Sequence, residues 1–522
     1  MDALEKDSYT CYSAGQVINA YNRKSGTIEA YPCTYSDVLT ETKRDYLVEV
    51  LMEAAVSKLQ GLLRVVRTSD PLRTMNCSAI DALPVEISSR SYPDADLLIV
   101  VTSRPILGGG TIAFAAECTV NLIGRPVIGH ANFNTSNLND DPEDFNHKLG
   151  VIVHELTHAL GFSFNSFSTF VKAMGFDSSK GVWVYNKVDT SNIVKRVPAE
   201  IGSDRAVDAI VSPRVLEVTR AHFNCSLVEG ALLEDGGAAG TVSSHWEKRV
   251  FMNEYMTGSD SYFPVISKVT MALLEDSGWY QVNYDNAEVL LWGRALGCEF
   301  LEDCGRWSSI KGIPSGFCDE SSPSNQVQCT FDRRGYGKCN IATHLSPLPE
   351  DYRHYSSPNV GGQNSLADYC GYIGQKGSTL YCNAENLKME DTEESGEQFE
   401  DASRCFMSTL KKITVPVDDV LYEQVMPSGK LSARCFNTTC VDEDDLRLQI
   451  AGVWYPCSEG RVKVMGYAGY VECPPTWDIC HGVKRDNSWP RISTIFPKRG
   501  PPSSQITISG DNFDGKKYNY TV

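Results

Sequence analysis

The chain has 522 residues, of which 42% are hydrophobic and 22% are charged, and its formal net charge is -18. This length predicts about two to four packed domains, and no apolar run approaches the roughly 20 residues that cross a bilayer. The acidic balance argues against nucleic acid as a partner, because phosphate backbones require a basic surface.

The first 140 residues mix helix and strand signals. Residues 41–66 combine helical periodicity with good helix formers, and they predict one long helix. Residues 95–103 predict a short buried strand, since they are rich in β-branched side chains. Residues 110–120 predict a second strand, which follows a turn of three glycines.

The pattern changes at Asp141, where we predict the start of a helix. Asp141 can cap the helix, and Pro142 suits its first turn. The apolar residues that follow recur at helical spacing and form one stripe: Phe145, Leu149, Ile152, Leu156 and Ala159. Gly161 is predicted to end the helix, because glycine adopts positive φ without strain.

This predicted helix carries the spacing His-Glu-x-x-His at His154, Glu155 and His158. Residues four apart share one helix face, so both imidazoles can point at a single ion while Glu155 reaches a water bound beside it. The motif also occurs by chance, and a histidine on an amphipathic helix is more often structural. The helix frame and Gly161, together with the cysteine pattern further along the chain, favour zinc.

A catalytic zinc ion has three protein ligands and one open position. In zinc enzymes with a glycine at this offset, a third histidine usually follows within a few residues, where this chain has Phe164. The remaining candidates for the third ligand are His130, His147, His222, His245, His344, His354 and His481, together with Glu217 and Glu229. Spacing alone does not choose among them.

Cysteine usage indicates the compartment. There are eighteen cysteines, and thirteen of them lie between Cys298 and Cys480 without paired CxxC units. This pattern predicts a disulfide framework made in an oxidising compartment, with reduced thiols in a cytosolic protein as the alternative. Five Asn-x-Ser/Thr tripeptides fit the same prediction of a glycoprotein in the secretory pathway.

The two ends of the sequence carry separate expectations. Residues 1–16 contain neither the basic nor the apolar region of a secretory signal. Residues 490–513 resemble the opening of an immunoglobulin-like TIG domain, and a disordered linker is the alternative interpretation. We therefore expect that the sequence is cut at both ends.

Three stretches carry a resemblance to a known family. HELTHALGF at 154–162, SSHWEKRVFMNEYMTG at 243–258, and the segment 266–300 that begins ISKVTMALLEDSGW resemble leishmanolysin, the major surface zinc protease of trypanosomatids, and its relatives. The resemblance runs from near Cys11 to about Cys480 and includes the number of cysteines.

The resemblance implies one Zn²⁺ ion per chain, held by His154, His158 and His245, with Glu155 as the catalytic residue. Met256 matches the methionine of the turn that lies beneath the metal in metzincin proteases. Met252 is the neighbouring candidate for that role, and we interpret it as a packing residue.

The resemblance also implies an α+β fold of the metzincin-like zinc protease type. Residues 1–162 would form an N-terminal α/β catalytic subdomain with the zinc helix, and 163–303 an inserted central subdomain with the third ligand and the Met-turn. Residues 304–489 would form a disulfide-rich C-terminal domain, and 490–522 a truncated TIG segment. Cys11 is expected to pair with Cys33, and Cys77 with Cys118.

The implied function is that of a zinc metalloendopeptidase that hydrolyses protein or peptide substrates outside the cell or at its surface. The substrate is expected to lie along the strand at 110–116. The alternative is a catalytically silent surface adhesion protein on the same fold. Family members have a signal, a propeptide and often a glycolipid anchor, which this sequence lacks, so membrane attachment would use a segment not in this chain.

Overall fold

The structure is a computed structural model, and it describes residues 7–65, 67, 71–73, 91–108, 110–139, 145–180, 182–237, 240–310, 316–322, 326–374, 380–383, 392–413, 429–458, 460–483, 491–496 and 507–511. Contacts divide the chain into two compact units. The first unit comprises 1–313, 317–324 and 339–372, and the second comprises 314–316, 325–338 and 373–522. The four-part division of the sequence remains a prediction.

Most of the described helices belong to the first unit. Its α-helices are α1 Glu41–Asp45, α2 Glu53–Leu62, α3 Phe145–Ala159, α4 Phe164–Phe167, α5 Pro213–Phe223, α6 Lys248–Phe251 and α7 Lys268–Asp276, and the second unit contains α8 Thr392–Ser395 and α9 Trp477–Cys480. A π-helical segment, Tyr46–Met52, joins α1 to α2. No helix in the described part of the chain is both long and apolar enough to cross a bilayer.

The strands of the first unit form small sheets. They are β1 Val17–Asn22, β2 Thr27–Pro32 and β7 Ile106–Leu107; β3 Leu63–Val65 and β15 Tyr280–Val282; β4 Leu72–Arg73 and β5 Ser91–Tyr92; β6 Leu98–Thr102, β8 Ala113–Val120 and β9 Pro126–Phe133; β10 Val171–Asp177 and β11 Val182–Lys187; β12 Val194–Pro198, β13 Ala206–Ile210 and β14 Ala231–Leu232; β18 Ile341–Thr343 and β19 Val360–Gly362.

The strands of the second unit form one larger sheet and several strand pairs. They are β16 Gln328–Cys329, β17 Gly335–Cys339, β20 Ile373–Gly374 and β21 Leu380–Tyr381; β22 Ser403–Ser408, β24 Ser432–Asp442, β25 Asp445–Ile450, β26 Val453–Pro456, β27 Gly460–Val462 and β29 Val471–Cys473; β23 Lys411–Lys412 and β28 Tyr467–Ala468; β30 Arg491–Phe496 and β31 Thr507–Asp511.

The long helix predicted over 41–66 is helical from Glu41 to Leu62, so its predicted end is wrong. Residues Leu63–Val65 instead form β3, which pairs antiparallel with Tyr280–Val282. This strand pairing joins residues more than 200 positions apart, which explains why local helix propensity gave the wrong boundary.

The sheet β6-β9-β8 supports the helix that carries the histidine motif. The strand β9 lies in its centre, parallel to β6 and antiparallel to β8, so β8 is an edge strand among the strands that the structure describes. Helix α3 packs closely on this sheet, since a Cβ added at Gly129 of β9 would lie 2.9 Å from the Cβ of Ala159. A larger residue at position 129 would therefore push α3 off the sheet.

Eight disulfides connect sixteen of the described cysteines, which confirms the predicted framework: Cys11–Cys33, Cys225–Cys298, Cys304–Cys370, Cys318–Cys339, Cys329–Cys405, Cys382–Cys435, Cys440–Cys480 and Cys457–Cys473. The predicted pair of Cys11 with Cys33 is therefore confirmed. The predicted pair of Cys77 with Cys118 lies outside the described residues, because Cys77 is not among them.

The second unit is built on a six-stranded antiparallel sheet in the order β26-β25-β24-β22-β29-β27. One of its cores is formed by buried apolar side chains that include Phe406, Phe436, Leu446, Leu448 and Ile450. The disulfide Cys440–Cys480 connects β24 to α9, and Cys457–Cys473 joins the end of β26 to β29. Short cross-links of this kind supplement a small core in disulfide-rich domains.

Candidate metal centre

Helix α3 places the first two histidines on one face and ends directly behind them. The helix ends at Ala159, and Gly161 follows with φ of +113°. A side chain at Gly161 would also collide with the indole of Trp279, 2.7 Å from an added Cβ. The prediction that Gly161 ends the helix is confirmed, whereas the predicted cap at Asp141 lies outside the described residues.

Three histidines converge on one point. The Nε2 atom of His158 lies 3.0 Å from Nε2 of His154 and 3.1 Å from Nε2 of His245, and the third side of the triangle is 3.2 Å. His245 lies 87 residues after His158, in the loop that precedes α6. The structure therefore brings His245 to the two histidines of the helix.

Each imidazole is oriented by a backbone carbonyl. Nδ1 of His154 donates to the carbonyl oxygen of Tyr255 at 2.5 Å, and Nδ1 of His158 donates to that of Phe162 at 2.7 Å. Nδ1 of His245 donates to the carbonyl oxygen of Thr241 at 2.9 Å. A carbonyl oxygen only accepts hydrogen bonds, so each Nδ1 carries the proton and each Nε2 presents a lone pair.

The protonation of these histidines fits a metal site. Burial lowers the pKa of His154, lowers that of His158 well below its ordinary value and lowers that of His245 to about 3, so all three are neutral at pH 7. Three lone pairs at this distance repel one another unless a cation lies between them. In tetrahedral zinc sites, with Zn–N of about 2.0–2.1 Å, ligand nitrogens are about 3.3 Å apart. The three Nε2 atoms therefore fit a zinc ion.

Glu155 is buried beside the three histidines, at the edge strand. Burial raises the pKa of its carboxyl to about 8, and the Arg23 charge and the backbone N–H of Ala115 oppose this rise. Ala115 lies on β8, and its N–H faces Glu155 of α3. Residues of a strand alternate in the direction of their backbone groups, and we expect Ala113 to present its backbone groups on the same side as Ala115.

The segment after His245 forms a buried turn around Met256. The carbonyl oxygen of Met256 accepts the N–H of Trp246 at 2.9 Å, and Met256 is fully buried. Tyr255 lies beside it and supplies the carbonyl that orients His154. Met252 is also buried, four residues earlier, at the C-terminal end of α6. The contribution of Met256 to the site remains a prediction.

A cleft of about 910 Å³ opens in front of the histidines. One wall is the edge strand β8 with the residues before it, and the floor includes His154, Glu155 and His158. Arg23 and Lys24, in the turn between β1 and β2, line the cleft as well. The predicted substrate strand at 110–116 thus corresponds to the start of β8, and its contact with substrate remains a prediction.

The other candidates for the third ligand lie elsewhere. His147 contacts Asp260, with 2.8 Å between Nε2 and Oδ2, and Nε2 of His222 donates to the carbonyl of Trp292. Glu217 is exposed and pairs with Arg214. Phe164 is half exposed on the short helix α4 and does not line the cleft. Sequence reasoning missed the carbonyl of Tyr255 and the N–H of Ala115, because backbone contacts leave no signal in residue type.

Comparison with known proteins decides the family. The family model described as Leishmanolysin, peptidase family M8, matches residues 1–487. The chain belongs to the leishmanolysin family. A second model, described as an IPT/TIG domain, matches residues 490–522, in agreement with the segment predicted from the sequence.

Individual relatives of this leishmanolysin-family chain come from insects, nematodes and trypanosomatids. The leishmanolysin-like peptidase of Drosophila melanogaster is 30% identical over 442 residues, which cover 74% of this chain and 64% of the relative. The leishmanolysin homolog of Crithidia fasciculata is 28% identical over 502 residues, covering 92% of this chain and 69% of the relative. Leishmanolysin of Leishmania major is 26% identical over 531 residues, covering 97% and 79%.

Proposed function

We propose that this protein is a zinc metalloendopeptidase, and that His154, His158 and His245 hold one Zn²⁺ ion. The observation that carries the proposal is the set of three neutral imidazoles whose Nε2 lone pairs meet within 3.2 Å, beside the buried carboxyl of Glu155. Three imidazole ligands with an open fourth position are typical of catalytic zinc.

The bound ion would lower the pKa of a water molecule to about 7 and polarise the scissile carbonyl. The positive charge of the bound ion would favour the carboxylate form of Glu155 over the protonated form that burial favours. Glu155 accepts a proton from the attacking water at a carboxylate oxygen, and it later delivers that proton to the leaving amine. The N–H of Ala115 holds the carboxylate of Glu155 in position, since it contributes a hydrogen bond. Met256 packs beneath the imidazoles and contributes no ligand.

The substrate would bind as an extended peptide beside β8. This strand is paired with β9 on one side only among the described strands, so its free edge can form a ladder with a substrate backbone. The backbone groups of Ala113 and the carbonyl of Ala115 are the ones expected to bind it. The proposed substrates are proteins and peptides, and the fold proposed around the cleft is the metzincin-like arrangement.

The disulfide framework supports a location in the secretory pathway, outside the cell or on its surface. The complete set of three histidines with Glu155 supports activity over the alternative of a silent surface adhesion protein, since loss of activity removes the constraint on these residues.

Cleavage of casein or of a quenched fluorescent peptide by the purified protein tests the proposal. We expect cleavage that stops when zinc is chelated and returns when zinc is added. Glu155→Ala should reduce kcat by at least about a hundredfold, because the proton transfer is lost while the zinc ligands remain. Cleavage by the variant at the wild-type rate, or none by the intact protein, would contradict the proposal.

Zinc content tests the ligand set independently of activity. His245→Ala should retain less than about a tenth of the zinc after dialysis, since two imidazoles hold zinc far more weakly than three. The matched control is His222→Ala, whose imidazole is bonded to the Trp292 carbonyl and lies outside the cleft. One full equivalent of zinc in His245→Ala would assign the third position to another residue.

A further inference from the structure

A second cavity of about 910 Å³ lies in the first unit and shares no lining residue with the cleft at the histidines. It lies between the hairpin β10–β11, the edge strand β12, helix α5 and the pair β3–β15. We call this cavity the hairpin groove. The proposed catalytic chemistry uses none of its residues.

The hairpin contributes an aromatic wall to the hairpin groove. Its two strands pair only with each other among the described strands, with Ala173 opposite Tyr185 and Phe176 opposite Trp183. Trp183 and Tyr185 are two residues apart, so both lie on the side of the hairpin that faces the groove. The Phe176 ring packs edge-on against Trp183 at 5.8 Å, yet Trp183 remains 48% exposed.

An exposed tryptophan in the wall of a cavity is typical of a binding surface. Burying such a ring against a partner removes a large apolar area from water, and tryptophan is the residue type most enriched at binding hot spots. The contact with Phe176 holds the Trp183 ring in place before a partner binds. The wall is therefore preorganised to receive an apolar side chain.

The polar lining of the hairpin groove is predominantly basic. Five basic side chains line it, namely Arg64, Lys172, Lys195, Arg196 and Arg220, against three acidic ones, Glu229, Glu275 and Asp276. Two of the three acidic groups have partners in the protein. Glu275 accepts the Tyr284 hydroxyl at 2.8 Å, and Asp276 accepts the backbone N–H groups at the start of α5 at 2.8 and 3.1 Å.

Four of the five cations have no carboxylate partner among the described residues. Arg196 lies 3.8 Å from Asp208, whereas no ion pair within 4.0 Å involves the other four cations in the part of the chain that the structure describes. Arg64 and Arg220 donate only to backbone carbonyls there. The groove thus has an excess of positive charge, in a chain whose net charge is -18. This excess is complementary to a negatively charged ligand.

A free strand edge borders the same basic groups. Strand β12 carries Lys195 and Arg196, and it pairs with β13 alone among the described strands. An extended peptide can add to such an edge through its backbone, while alternate side chains contact the flanking walls. Backbone hydrogen bonds of this kind require a polypeptide, which distinguishes this ligand from other polyanions.

We propose that the hairpin groove is an exosite that binds an extended acidic segment of a partner or substrate protein. The acidic side chains of the segment contact Lys172, Lys195, Arg64 and Arg220, and an apolar side chain beside them packs on Trp183. A sulfated polysaccharide matches the charge but leaves the indole face and the free edge of β12 unused.

Fluorescence anisotropy tests this proposal directly. The probe is a fluorescein-labelled peptide of twelve residues that alternates glutamate and leucine, and the protein is the full chain with Glu155→Ala, which prevents cleavage. We expect saturable binding that weakens with added salt. The double change Lys172→Glu with Lys195→Glu, and separately Trp183→Ala, should each weaken binding by about tenfold or more.

Matched variants control for charge and for loss of an exposed indole. Lys268→Glu with Lys430→Glu makes the same change in net charge at exposed positions outside the groove, and Trp454→Ala removes a tryptophan that is 42% exposed in the second unit. Both controls should bind the peptide within about twofold of the parent protein. Wild-type melting temperatures for all four variants confirm that they fold.

Two outcomes overturn the proposal. Equal peptide binding by the parent protein and by both groove variants would show that the groove is not the site. The second outcome is that the peptide fails to bind while size-defined heparin binds. If heparin binding is then lost in the double lysine variant and unchanged in Trp183→Ala, the ligand is a polysaccharide. Because cleavage plays no part in the measurement, failure here leaves the proposed peptidase function untouched.

Discussion

Glu254 connects the turn around Met256 to the third histidine, and its removal gives the sharpest test of how the site is held. Its Oε2 accepts the backbone N–H of Met256 at 2.6 Å, and its Oε1 accepts the hydroxyls of Ser267 at 2.9 Å and Thr270 at 2.6 Å. The Thr270 oxygen accepts Nε1 of Trp246, the residue after the third histidine, at 2.8 Å.

Glu254→Ala leaves three buried donors without an acceptor. A buried donor that loses its partner costs about 1–3 kcal/mol. At the lower end of that range, the three donors sum to about 3 kcal/mol, and we expect the free energy of unfolding to fall by about 3–5 kcal/mol. Glu254→Gln keeps the shape and one carbonyl oxygen, so we expect a loss of about 1–2 kcal/mol.

Urea unfolding followed by tryptophan fluorescence measures these losses, and zinc analysis of the same samples measures retention of the ion. Zinc content should fall in Glu254→Ala, because the lost hydrogen bonds hold the segments that carry two of the ligands in place. Trp246 directly follows His245, and the carbonyl of Tyr255 orients His154. Glu217→Gln, at a side chain that is 65% exposed, should stay within about 0.5 kcal/mol of wild type. Wild-type stability and zinc content in Glu254→Ala would refute this account.

Two further predictions concern the core. Phe162→Ala should lower the free energy of unfolding by about 3–5 kcal/mol in the same urea experiment, because this ring is fully buried and packs edge-on to Trp246 at 5.0 Å. Phe164→Ala changes a ring that is 48% exposed, so it should lower the free energy of unfolding by less than about 0.5 kcal/mol. Equal costs would contradict this. Burial lowers the pKa of His130 to about 4, so as pH falls the unfolded state, with a pKa near 6.5, takes up the proton first. The stability that neutral His130 contributes is complete above about pH 6.5 and declines towards pH 4, by about 2 kcal/mol at pH 5. The free energy of unfolding of His130→Asn should not show this decline between pH 7 and 5. The same decline in the variant as in the wild type would contradict the prediction.

Local patterns in the sequence were sufficient for the elements that carry the first two histidines. The apolar stripe and Gly161 predicted the body and the end of α3, because helix periodicity and positive φ are properties of neighbouring residues. The edge strand β8 was predicted for the same reason, with its start displaced from Gly110 to Ala113.

Long-range features needed the resemblance or the structure. His245 is 87 residues from His158, and spacing left nine candidates for its position until the resemblance to leishmanolysin selected one. The cysteine partners lie 16 to 76 residues apart, and composition alone does not choose among so many pairings. The end of the helix at Leu62 depends on pairing with β15, which local propensity does not record.

The Nδ1 hydrogen bonds that orient the three histidines all go to the main chain. Every Nδ1 partner is a peptide carbonyl, at Tyr255, Phe162 and Thr241. Replacing the side chains at these three positions changes packing but removes no hydrogen bond from an imidazole. The tautomers therefore do not depend on the side chains at these three positions, and a homologue can change those side chains while the same three nitrogens remain available.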